Sequence, residues 1–303
     1  MGLQGEPCLE AEMSSLRQLR RASRRETLVR GVLLGATLIS GLAVCAILGF
    51  LVYFSLPLVL EGQAGQILAW HWRPFQGKFG ILPMVMGSFL LAFSALLLAY
   101  PLGVGLCGFA FSHQQKPWGR LVLTVVYLMT GVPTVVYGFV SVFLLVPLVR
   151  TTFAHGTGFC WLTACLTLTL LILPTIVLLI WSQLEQTSPE IRLATTALGF
   201  TPSQELLWVL FPQASQGLLA AAILGFGRAV GDTLVALMVA GNAPQVPHSL
   251  LDSLRTLTSH IGLVLATDST SLAYQSVFAA GLILFGLAAM VNLTLRWLKA
   301  PST

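Results

Sequence analysis

Six stretches of this chain stay apolar for longer than the roughly 20 residues that carry an α-helix across about 30 Å of hydrocarbon. They cover residues 27–60, 81–111, 121–149, 160–181, 214–241 and 273–297. None shows the alternation of lipid-facing barrel strands. Within a bilayer each backbone N–H and C=O must be satisfied inside the protein, which helices do on their own. The chain is therefore expected to be an all-α polytopic membrane protein with six transmembrane helices. Its composition agrees: 56% of residues are hydrophobic and 9% charged, against about 25% charged in soluble domains, and the mean hydropathy is +0.85.

Charge sets the orientation. Arg17, Arg20, Arg21, Arg24, Arg25 and Arg30 lead into the first span, and the positive-inside rule puts that end in the cytoplasm. An even number of spans returns the C-terminus there. Lys116, Arg120, residues 183–213 and Arg296 to Lys299 then also lie inside, whereas Arg73, Lys78, Arg150 and Arg255 lie outside. The net charge of +5 follows from this topology and from contact with anionic lipid, not from a nucleic-acid partner. The first 26 residues hold no apolar h-region, so the first span is expected to be retained. The organisation expected is a basic cytoplasmic tail at 1–26, a transmembrane domain at 27–299 and a C-terminal tail at 300–303. Cysteines 8, 45, 107, 160 and 165 form no CxxC and imply neither disulfide nor metal. Trp70, Trp72, Trp118, Trp161, Trp181 and Trp297 fall near span ends, where an aromatic belt would anchor them.

Between the fourth and fifth spans, residues 186–212 carry helix punctuation. Ser188-Pro189-Glu190 reads as an N-cap, a proline at the first helical position and an early carboxylate. Gly199 reads as the stop. Thr201-Pro202-Ser203-Gln204 repeats the start as a capping box, and Pro212 marks the next boundary. Two short cytoplasmic helices result, the first with Ile191, Ala194 and Leu198 on one face. A connection of this length with built caps is uncommon unless it has a task.

Arg228 and Asp232 interrupt the fifth apolar run. A charge near the bilayer centre costs ~2.5 to 3.5 kcal/mol on insertion scales, so the pair marks a functional site by default. Spaced four apart, they share one face of a helix. One reading is a buried ion pair between helices. The other is an anion path, in which the planar guanidinium binds an oxyanion. Asp232 would then restrain Arg228 between passages and disfavour fully deprotonated oxyanions. Gly225, Gly227 and Gly231 fit close helix packing, and Pro133 and Pro174 are candidate kinks. Histidines 71, 113, 155, 248 and 260 form no compact ligand set, and neither Lys78, Lys116 nor Lys299 stands in a P-loop. The chain is thus not expected to be an enzyme or to hold a cofactor of its own.

The segment LATTALGFTPSQELLWVLFP, from Leu193, resembles the coupling motif of ABC importer permeases. Ala194, Gly199, Val209 and Pro212 fall on motif positions, while Leu193 and Thr195 depart from it. GLLAAAILGFGRAVGDTLVALMVAGN, SLLDSLRTLTSHI, GVPTVVYGFVSVFLLVPLV and LILPTIVLL resemble the phosphate permeases of the PstC type, in which a glutamate usually stands where this chain has Asp232. The resemblance implies an ABC importer permease fold in a bacterial inner membrane. It places Arg228 and Asp232 along the translocation path, with Arg255 in the outer vestibule beside Thr256, Thr258, Ser259 and His260. It also implies a homologous second permease, two ATP-binding subunits that hydrolyse the ATP, and an extracytoplasmic phosphate-binding protein. A permease for sulfate, molybdate or another oxyanion is the neighbouring reading. An ion-gradient-driven transporter is the more distant one.

Overall fold

A computed structural model of the chain describes residues 6–60, 62, 64–153, 156–186, 189–265 and 272–299. It forms two compact units, residues 1–53 and 54–303. The expected tail 300–303 and the Ser188 cap lie outside the described residues. In the first unit the chain is helical from Glu6, within α1 (Glu6–Leu60). Tail and first span are thus one helix, with no break at residue 27. Leu28, Val32, Ile39 and Leu42 are all exposed, as suits a helix surrounded by acyl chains.

The second unit opens with the end of α1, the short α2 (Ala64–Ile67) and a two-stranded hairpin, β1 (Trp72–Arg73) and β2 (Lys78–Phe79), paired Trp72 to Phe79. Then come α3 (Leu82–Ser112), α4 (Pro117–Thr130), α5 (Thr134–Phe153) and α6 (Trp161–Glu185). The coupling region holds α7 (Pro189–Ala197), α8 (Pro202–Glu205), a π turn at Leu206–Leu210 and α9 (Phe211–Gln213). The last helices are α10 (Ser215–Gly231), α11 (Leu234–Val239), α12 (Leu257–Val264) and α13 (Leu272–Lys299). Among the described residues five helices are long and apolar enough to cross a membrane, or up to six where the bent pair Pro202–Gln213 and Ser215–Gly231 is counted as one span.

Two expected spans are broken. The third divides at Gly131, Val132 and Pro133, because proline has no N–H to continue the ladder. The Tyr137 hydroxyl donates to the Met129 carbonyl across that break at 2.9 Å. The fifth stops at Gly231 and resumes at Leu234. Pro174 leaves α6 continuous. Pro212 sits inside α9, so the turn into the fifth span falls at Ala214, with a bend of 75°.

The core is α6 wrapped by α3, α5 and α10. Lipid offers no hydrophobic drive between helices, so close packing of small residues has to hold them. On α3 the buried positions include Ala92, Ala95, Ala99 and Gly103. A Cβ at Gly103 would lie 2.8 Å from the Ile176 side chain of α6. Gly225 and Gly227 of α10 serve the same end against Ile176 and Val291, whereas Gly231 is open. Polar links cross the same seams: Thr167 donates to Ser141 at 2.8 Å, and the Trp161 indole to Ser94 at 2.9 Å. Trp181 is buried against Phe111 and Trp72 is buried as well, so these two are core residues and not belt anchors. Trp70, Trp118 and Trp297 stay exposed.

Near the start of α3, a Cβ at Gly87 would lie 2.4 Å from the Arg255 carbonyl oxygen. Gly87→Ala is expected to lower the melting temperature of the purified protein, at a cost of about 1 to 3 kcal/mol. Gly105→Ala, where nothing lies within 4 Å of the added carbon, should be neutral or slightly stabilising.

Candidate functional site

Arg228 stands in the last turn of α10 with its side chain exposed. Its Nη1 donates to Thr175 Oγ1 of α6. Its charge also reaches Tyr137 of α5 and Asp232. Three elements therefore meet around this guanidinium. Sequence reading named neither Thr175 nor Tyr137, although both lie in the quoted motifs as polar groups in otherwise apolar runs.

Asp232 does not share a helical face with Arg228. Its backbone is extended, at φ −73° and ψ 128°, and it ends α10. Its Oδ2 accepts from the Val235 N–H at 2.9 Å, capping the first turn of α11. A short carboxylate offers the backbone an alternative to the helical ladder, and here that alternative is realised. The one-face ion pair is thereby corrected: each charge has its own partner on a different element. The Asp232 carbonyl in turn accepts from Thr258 Oγ1 of α12 at 2.8 Å, tying the outer loop to the break.

That loop is a built structure. Gly241 and Asn242 both adopt positive φ, 80° and 58°. Leu254 donates to the Ala240 carbonyl at 3.0 Å, and Ser253 Oγ to the Phe159 carbonyl at 2.7 Å. Arg255 Nε donates to the Asn242 carbonyl at 2.9 Å, so the expected vestibule arginine is pinned against the end of the fifth span. Thr256 and Ser259 form a capping box on α12, and Ser88 Oγ of α3 accepts from the Leu257 N–H at 2.8 Å.

His260 is fully buried, edge-on to Trp72 at 4.4 Å between ring centroids, with Nε2 3.2 Å from Ser276 Oγ. A solvated loop position is ruled out. Burial, with Arg255 adding to it, pushes its pKa from 6.5 down to about 3. The unfolded chain then takes up this proton before the folded one, so the stability is present above about pH 6.5 and drains as pH falls toward 3. Between pH 7.5 and pH 5 the wild type is expected to lose roughly 2 kcal/mol from this group. Melting of His260→Gln should show a flatter acid limb.

The coupling residues form a surface of their own. Gly199 takes φ +76° and closes α7, with Phe200 donating to the Thr195 carbonyl at 3.0 Å. The capping box at Thr201 is present, Gln204 Oε1 accepting from Thr201 N–H at 2.9 Å. Ala194 and Pro212 are exposed and Val209 is half-buried. Leu193, Leu198 and Trp208 show 70%, 75% and 75% of their surface. A cavity of about 550 Å³ separates residues 111–116 from this segment, with His113, Lys116, Thr196, Phe200 and Glu205 in its lining.

Broken apolar spans around a lone guanidinium, with a capped helical hairpin at one end, define a membrane permease. The chain belongs to the binding-protein-dependent transport system inner membrane component family, whose model matches residues 99–300. It is 34% identical over 235 residues to the probable ABC transporter permease protein YqgH of Bacillus subtilis, covering 76% of this chain and 75% of that protein. Against the phosphate transport system permease protein PstC of Mesorhizobium japonicum the identity is 27% over 246 residues, 75% of each chain. In fold it matches a chain of a bacterial ABC transporter involved in the import of the acidic polysaccharide alginate, with a TM-score of 0.58 at 13% identity, over 94% of this chain and 100% of that one. This protein is an ABC importer permease, a multi-pass component of the cytoplasmic membrane.

Proposed function

We propose that this permease carries inorganic phosphate, forming half of an ATP-driven import path with its N- and C-termini in the cytoplasm. Arg228 carries the reading. It is an exposed guanidinium on a membrane helix, held by a neutral hydroxyl and not by a carboxylate, so its charge stays available to an oxyanion. Similarity to PstC proteins supports phosphate as that oxyanion. Thr175 steadies the fork, Tyr137 adds a phenol nearby, and Asp232 acts by shaping the break that brings Arg228 to the path. Weak binding suits the task, since a tight site would block release.

The remaining machinery lies in other chains. A homologous permease supplies the second half of the path, two ATP-binding subunits hydrolyse ATP, and an extracytoplasmic phosphate-binding protein delivers the anion. Ala194, Gly199, Val209 and Pro212 shape the surface that meets an ATPase, and the exposed Leu198 and Trp208 are its apolar contacts. Another oxyanion is the second reading, favoured by the YqgH relative, whose name specifies no substrate.

Uptake of labelled phosphate into vesicles holding the whole complex tests this. Arg228→Lys keeps the charge but loses the fork, and should cut uptake about tenfold or more with assembly intact. Sulfate, and not phosphate, as the accumulated anion would sink the phosphate reading. Leu198→Asp with Trp208→Asp should release the ATPase during purification, and retention of the ATPase by that variant would move the coupling surface elsewhere.

A further inference from the structure

Asn242 is the one described residue other than glycine with positive φ. Its side-chain nitrogen donates to the Leu237 carbonyl at 2.7 Å. That bond settles the amide orientation, because the flipped group would set two carbonyl oxygens against each other. Oδ1 is then an acceptor, buried and without a hydrogen-bond partner. A strained backbone and an orphaned acceptor are each costly, and such features collect at sites that bind something.

The neighbour is a donor of opposite character. Arg255 Nε donates to the Asn242 backbone carbonyl, which holds the guanidinium against the backbone of the same residue. Among the described residues that is its hydrogen bond to the chain, and its two terminal nitrogens remain for a ligand. In this conformation both residues are tied to their neighbours: Leu254 is bonded to Ala240, and the Arg255 carbonyl lies against Gly87. They lie at the end of the fifth span remote from the coupling segment, above Arg228 and joined to the break by the Thr258 bond to Asp232.

We infer that Asn242 Oδ1 and the Arg255 guanidinium form an outer station that selects a protonated oxyanion, the amide oxygen accepting the anion's hydroxyl while the arginine binds its unprotonated oxygens. This rests on the phosphate reading and deepens it. Asp232 Oδ2 accepts from the Val235 N–H, whereas Asn242 Oδ1 is a buried acceptor with no partner of its own. Oδ1 is sealed from solvent in this conformation, and the anion reaches it when the 241–256 loop parts from α11. Occupation favours the parted state by the hydrogen bond that the closed state lacks.

The test compares uptake of hydrogen phosphate and monofluorophosphate at pH 8 by vesicles holding the whole complex with its binding protein. Both are dianions of similar shape, but fluorophosphate has no proton to donate. Asn242→Gly suits the positive φ and removes the acceptor. It should lower phosphate uptake about tenfold and leave fluorophosphate within about twofold. Arg255→Ala should lower both. The binding protein is the same throughout, so a changed ratio belongs to the permease. Wild-type phosphate uptake by Asn242→Gly, or an equal fall for both anions, overturns the station. A wild-type complex that imports fluorophosphate's competitor sulfate but no phosphate overturns instead the phosphate reading beneath it.

Discussion

Everything in this structure depends on satisfying backbone hydrogen bonds where water is absent. Long helices do so internally, and the spans α3, α6 and α13 follow that rule apart from the ladder bonds missing at Pro101 of α3 and Pro174 of α6. The two breaks do not, and side chains take over there. Tyr137 serves the Met129 carbonyl at the first, and Asp232 serves the Val235 N–H at the second. Both polar substitutes stand around Arg228, so the irregular backbone and the lone guanidinium occupy the same part of the molecule. Non-helical backbone at membrane depth is tolerated where it lines a cavity or is buried in protein, which is the setting a solute path requires.

Rigidity around that path comes from close approach. Small residues let α3 and α10 lie against α6, and Ile176 meets glycines from both sides. The outer loop is fastened by the same means, with the Arg255 backbone on Gly87 and the Leu257 N–H on Ser88, one turn of α3 holding both. A load on the loop is therefore felt by the helix that packs against the centre of the bundle. At the opposite end the hairpin turns by 75° into α10, the helix that carries Arg228.

Much of this was legible in the residues. Apolar runs marked four of the spans to within a few positions and missed the breaks in the third and fifth, and the capping box at Thr201 and the stop at Gly199 were found where their chemistry put them. Local signals are legible when the partner lies three or four residues away. The break at Asp232 was misread for the same reason: a spacing of four implies one face only if the helix continues, and the carboxylate that seemed half of an ion pair was the group that ended the helix. Trp72 and His260 were unreadable in another way. Each resembled a surface residue near a span end, and each became core because the hairpin and α12 fold onto one another.

The sequence by itself determined that the chain crosses a membrane as helices, where the capped hairpin between the fourth and fifth spans lies, and that Arg228 is a charge needing a reason, because hydropathy, caps and isolated charges are properties of short stretches. Only the tertiary structure decided what surrounds that charge. Thr175 and Tyr137 come from different elements than Arg228, and no periodicity relates them. Their meeting is set by helix packing and by the breaks, which depend on contacts between residues far apart in the chain.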